Sequence, residues 1–184
     1  QNVLQKKPED IDVLRELYDV YGLTQNLQKA IPIAEKLAKG NFDYYEDLAN
    51  LYGLTKQYDK ALSAIENLDD NRGFNEYHQE LREKIFSRAN NPNFEITYLQ
   101  KQVNENTSNP NFYLHLMYLY RLTNKESQMA SVAEKLKKNL PKSALYNFYA
   151  YQISLKENNN ELAVKQIKSI IDHTEDDGIK KMVI

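Results

Sequence analysis

Three histidines, His78, His115 and His173, are the side chains of this chain best suited to ligate a metal or move a proton near neutral pH. They stand far apart and form no metal-ligand spacing with one another. The run HTEDD, from His173 to Asp177, has the donor types for a cation. Acidic residues just ahead of a helix, however, ordinarily cap it and complement its dipole, and that is the preferred reading. DDNRG, from Asp69 to Gly73, carries oxygen ligands but lacks the spacing and closing glutamate of a calcium loop, so it reads as a turn between helices. With no cysteine there is no thiolate zinc site, cysteine nucleophile or disulfide framework. No glycine-rich phosphate loop, HExxH or GxSxG is present. The expectation is a protein without catalysis, metal or cofactor.

Aromatic side chains are the other candidate chemistry, since fourteen tyrosines could stack on sugars or bases. Most of them, including Tyr18, Tyr21, Tyr45, Tyr52, Tyr113 and Tyr120, fall at helical spacing on faces that must pack. They are therefore expected in the core, with each hydroxyl at the edge of the packing.

The elements that would position these residues are helices. Five glycines and five prolines in 184 residues leave few chain-breakers, and apolar residues recur at three- and four-residue intervals. The charges nearly cancel, 24 basic against 26 acidic, which argues against nucleic-acid binding because that usually needs a concentrated basic face. The longest apolar stretch, FYLHLMYLY at 112–120, is about half the roughly 20 residues of a spanning helix, so no membrane insertion is expected.

Sliding the sequence along itself by 31 residues aligns the YGLT at 21–24 with the YGLT at 52–55. Leu17 then falls on Leu48, Val20 on Leu51, Lys29 on Lys60 and Ala30 on Ala61. Such a period, made of two helical segments, marks a solenoid of helix hairpins whose apolar stripes are buried by stacking. The template recurs from Asn111 to Pro141, and more loosely from Ser143 to Asp172. Between these copies, 75–89 and 93–106 make a degenerate hairpin. Five hairpins are predicted, over 10–40, 41–71, 74–107, 110–141 and 143–172, in a single array of 1–184.

In these residues the chain resembles the tetratricopeptide (TPR) repeats. The family's first-helix positions are matched by Leu14, Leu17, Tyr18 and Tyr21, by Tyr45, Leu48, Ala49 and Tyr52, and by Tyr113, Leu116, Met117 and Tyr120. Its small second-helix residues are matched by Ala30 and Ala34, by Ala61, and by Met129 and Ala133. The resemblance implies an all-α fold, a right-handed superhelical solenoid of antiparallel helix hairpins, with Leu48 and Leu116 in its core. There are departures. The turn that often holds glycine in the family holds Gln25, Lys56 and Asn124, and Pro32 inside a second helix predicts a kink or a late helix start. Gly22 and Gly53 precede that turn, so close helix approach is preferred to ligand contact as their reason. The ends, 1–7 and 175–184, read as partial flanking helices, so the chain is expected to be an excerpt of a longer protein.

The resemblance also places residues on the concave groove where such proteins bind peptides. These are Asp12, Arg15 and Asp19, then Asp43, Glu46 and Asn50, then Tyr118, Arg121, Asn147 and Tyr151. Most of the first six are acidic, so the groove is expected to repel acidic tails and to prefer a basic or polar protein segment; a merely solvated helix face is the alternative. The function expected is a non-catalytic protein- or peptide-binding scaffold. The rivals are a structural spacer or self-association module, and a helical support for a ligand-binding or enzymatic domain elsewhere in a longer chain. The Asn-, Lys-, Tyr- and Ile-rich composition points to an AT-rich bacterial genome, with a periplasmic or envelope location favoured over the cytoplasm.

Overall fold

The computed structural model describes residues 10–141, 147 and 158–173. It divides into two compact units, Gln1–Asn91 and Pro92–Ile184. The division falls inside the segment expected to be the third hairpin. In the first unit the helices are α1 Ile11–Leu23, α2 Leu27–Ala38, α3 Tyr44–Leu54, α4 Tyr58–Arg72 and α5 Glu76–Ala89. In the second they are α6 Pro92–Asn104, α7 Pro110–Leu122, α8 Glu126–Asn139 and α9 Asn160–His173. Consecutive helices pack from α1 to α5, α3 also touches α5, and in the second unit α7 packs on both α6 and α8. Among the described residues there is no strand, and no helix is long and apolar enough to cross a membrane.

Helix starts follow from local chemistry. Asp10 caps α1 by accepting from the backbone N–H of Asp12 and Val13, Asn75 accepts from His78 N–H at the start of α5, and Asn109 caps α7 just ahead of Pro110. These side-chain oxygens satisfy N–H groups that have no partner inside the helix.

Helix ends explain the repeated tetrapeptide. In α1, α3 and α7 the tyrosine carbonyl of YGLT or YRLT accepts a 2.8 Å bond from the residue five positions on: Asn26 to Tyr21, Gln57 to Tyr52 and Lys125 to Tyr120. The residue before each of these donors bonds to the carbonyl of Gly22, Gly53 or Arg121, completing a Schellman closure. The threonine hydroxyl satisfies one more carbonyl, that of Val20, Leu51 or Leu119. This closure forces the next residue into the left-handed region, with φ of 52° at Gln25, 61° at Lys56 and 53° at Asn124. The departures from the family's glycine therefore keep its backbone conformation, at a cost of about 1 kcal/mol each for a side chain there.

The core lies between the two rows of helices within each unit. Ala30, Ala34, Ala49 and Ala61 are fully buried and allow close helix contact, with Leu48, Ile65 and Leu68 filling the space around them. In the second unit Leu99, Tyr113, Leu116 and Leu136 do the same. The expected core positions Leu48 and Leu116 are 3% and 1% exposed. Of the two expectations for Pro32, a kink or a late start, the late start does not occur, because α2 begins at Leu27 and runs through the proline to Ala38. Both Pro32 and Gln28, whose carbonyl loses its donor, are exposed, so water can take that acceptor. The first helix of the fifth expected hairpin lies largely outside the described residues, as do the two flanking segments, and α9 coincides with its second helix.

Candidate functional site

The first helices of the repeats, α1, α3 and α5, are braced side by side through tyrosine–carboxylate pairs. On α3, the adjacent residues Glu46 and Asp47 point to different neighbours. Asp47 accepts from the Tyr18 hydroxyl of α1, whose ring also meets Tyr44 edge-on at 5.6 Å. Glu46 accepts from the Tyr77 hydroxyl of α5. A third pair, Tyr52 with Glu35, ties α3 to α2. Of the six tyrosines expected in the core, Tyr52, Tyr113 and Tyr120 are buried, whereas Tyr18, Tyr21 and Tyr45 are only half-buried. Lysines cover two of the recurrent tyrosines from the following helix, Lys29 over Tyr21 and Lys60 over Tyr52, at 5.8 and 5.3 Å from the ring centres.

Ionisation is tuned by these pairs. Burial, reinforced by the Asp47 carboxylate, pushes the Tyr18 hydroxyl far above the ordinary phenol range. Burial and then Glu35 do the same to Tyr52. Tyr77 is pushed up to about 12, mainly because its proton is held by Glu46. The Asp47 carboxyl is raised by burial, against the opposing effect of the Tyr18 hydroxyl, with Glu46 and Asp43 nearby adding to the rise.

Of the expected groove residues, Asp12, Arg15, Asp19 and Asp43 are exposed, while Glu46 and Asn50 are half-buried. Arg15 pairs with Asp12 at 3.4 Å, and Asn50 donates to the Glu46 backbone carbonyl at 3.2 Å. The structure brings in three residues that the groove assignment missed: Asp47, Tyr77 and Arg72, the last of which pairs with Asp43 from the end of α4. A signal for Tyr77 was present, since Phe74 and Tyr77 repeat the spacing of Phe42 and Tyr45. In the second unit Tyr118 and Arg121 lie one turn apart on α7, and both are exposed. Asn147 is buried, with 9% of its surface accessible. Tyr151 lies outside the described residues.

Two of the three histidines are held by partners. His78 is buried, with Nδ1 2.7 Å from Asp69 and Nε2 3.2 Å from the Asn75 amide. Because the Asn75 oxygen accepts the His78 backbone N–H, its NH2 group faces Nε2, and Nδ1 carries the proton toward Asp69. Asp69 also receives the buried Arg82 guanidinium, over which Phe74 lies at 5.8 Å. Both ring nitrogens are therefore used in closing the α4–α5 corner, and DDNRG, expected as a turn between helices, is instead the last turn of α4 from Asp69 to Arg72, with only Gly73 beyond it as the C-cap. His115 pairs with Glu95 at 2.8 Å.

No protein-family profile matches the chain, and no curated protein matches it. Solved structures resemble its fold. YrrB, described as a TPR protein with an unusual peptide-binding site, is 16% identical, with 98% of this chain and 95% of that one covered and a TM-score of 0.47. A tetratricopeptide repeat protein from Parabacteroides merdae is 15% identical, with 99% and 73% covered and a TM-score of 0.44. MamA is 15% identical, with 90% and 92% covered and a TM-score of 0.46. By helix pairing and recurrent helix ends, the described residues form an all-α helical-repeat protein of TPR-like hairpins.

Proposed function

We propose that the chain is a non-catalytic scaffold that binds a basic or polar protein segment across the first-helix face of α1, α3 and α5. The observation that supports this is the charge left on that face after packing. Asp12, Asp19 and Asp43 are exposed and Glu46 and Asp47 stand beside them, with Arg15 and Arg72 as the cations paired among them. The tyrosine–carboxylate braces hold these helices in fixed register, so a segment lying across them meets a preorganised surface rather than one it must order. Excess negative charge on such a surface speeds encounter with cationic segments and disfavours acidic ones.

A fluorescence-anisotropy titration with a labelled Lys/Arg-containing peptide and its Glu-containing counterpart tests this reading. The basic peptide should bind more tightly. Its affinity should fall as ionic strength rises from about 0.01 to about 0.15 M, over which the screening length shortens from about 30 to about 8 Å. Reversing two exposed charges in Asp19→Lys/Asp43→Lys should weaken binding by about tenfold without loss of helical signal. Equal affinity for both peptides, or an unchanged double variant, would refute the proposal.

A further inference from the structure

The second unit contains a cleft of about 290 Å³ between α6, α7 and α8. Val103, Leu116, Tyr120 and Val132, all buried, form its floor, and Gln100, Asn104, Gln128, Ser131 and Lys135 form its walls. No carboxylate lines it. The hydrogen bonds around it leave donors facing inward. Gln100 Nε2 donates to the Tyr120 hydroxyl oxygen at 2.5 Å, so the tyrosine's own O–H hydrogen is not used in that pair. Asn104 Oδ1 accepts from Lys135 Nζ, which leaves the Asn104 amide N–H groups and two ammonium hydrogens for another acceptor. Lys125 lies 6.0 Å from the Tyr120 ring centre and adds positive potential.

The equivalent place in the first unit has the opposite polarity. There Tyr52, which occupies Tyr120's position in its helix end, donates its hydroxyl hydrogen to Glu35, so the phenol is already satisfied and a carboxylate stands where Gln100 stands. The difference between the two tyrosines is thus the one expected between a structural brace and a group left open to an external acceptor.

We infer that the cleft between α6, α7 and α8 binds a carboxylate carried on a short apolar body. Tyr120 and Lys135 contact the anion, and Val103, Leu116 and Val132 hold the hydrocarbon part. An ionised acceptor receiving an O–H and an ammonium bond at the edge of an apolar floor forms stronger hydrogen bonds than a neutral one. A peptide's C-terminal residue and a free short-chain acid both carry this chemistry.

The test follows backbone amide resonances of the full chain by NMR during titration with N-acetyl-leucine, hexanoate and N-acetyl-leucine amide. The two acids should shift the resonances of Tyr120, Ser131 and Lys135, with dissociation constants of roughly 1 mM. Tighter binding of N-acetyl-leucine identifies a peptide terminus as the source, and tighter binding of hexanoate a free acid. Gln100→Glu reproduces the Tyr52–Glu35 arrangement and should weaken binding by at least about tenfold while helical content is kept. Lys135→Gln, on the rim, should do the same. Perturbation by the amide equal to that by the acid, no perturbation by either acid, or full binding by folded Gln100→Glu would each overturn the inference.

Discussion

At the scale of single residues, Gly22 and Gly53 occupy the same place in the same tetrapeptide and yet differ physically. A Cβ built on Gly53 would come within 2.5 Å of Ile85 Cδ1 and 2.9 Å of an Arg88 nitrogen, whereas one on Gly22 meets nothing within 4 Å. The expected reason, close helix approach, therefore holds for Gly53 and is corrected for Gly22. The cause lies in the neighbouring helix. Counted from the helix starts, Ile85 is the tenth residue of α5, and the tenth residue of α3 is Gly53 itself, which has no side chain to offer Gly22. Gly22→Ala should accordingly stabilise the protein by about 0.5–1 kcal/mol through helix propensity. Gly53→Ala should destabilise it by roughly 1–2 kcal/mol, because buried Ile85 must shift. Urea unfolding of the two variants checks this, and changes of the same sign would contradict the packing described.

At the scale of elements, the α4–α5 corner depends on Asp69. Its carboxylate receives both His78 and Arg82, and the Arg82 side chain is only 1% exposed. Removing the carboxylate takes away the charge that His78 and the buried Arg82 guanidinium share, at a cost on the order of 3 kcal/mol. Asp69→Ala should show this loss in chemical denaturation, while the exposed neighbour in Asp70→Ala should change stability by less than about 0.5 kcal/mol. Similar losses in both would mean that the cluster does not hold the corner. None of this was legible beforehand. His78 and Arg82 are nine and thirteen residues from Asp69, so no helical period links them, and the intervening DDNRGFN looks like any polar turn. The helices themselves were legible, because the capping residues and the 3.6-residue apolar period are local properties of the chain.

At the scale of the whole molecule, the tyrosine–carboxylate braces make stability depend on alkaline pH. An unfolded tyrosine ionises near pH 10, whereas Tyr18, Tyr52 and Tyr77 hold their protons to higher pH in the fold, Tyr77 to about 12. A raised folded-state value means that the stability is complete below about pH 10 and is lost as pH rises toward the folded value, since the unfolded chain releases protons first. Thermal unfolding should therefore weaken between about pH 10 and 12. Tyr18→Phe/Tyr52→Phe/Tyr77→Phe, less stable at neutral pH, should lose less over that interval. An identical decline in wild type and variant would exclude the braces as its source.

The sequence by itself determined the helices and the buried leucines, because helical spacing is local to one or two turns, and it determined the 31-residue period because the chain repeats its own residues in register. It also marked Asp12, Asp19, Asp43 and Glu46 as acidic candidates on or beside the first helices. Tertiary structure alone decided which carboxylate meets which tyrosine, why one glycine is crowded and its twin is not, and which polar groups converge on the α6–α8 cleft. Those outcomes depend on which side chain the next helix presents at a few ångströms. A repeat pattern fixes that helices stack, but the individual residues at each stacked surface decide what they touch.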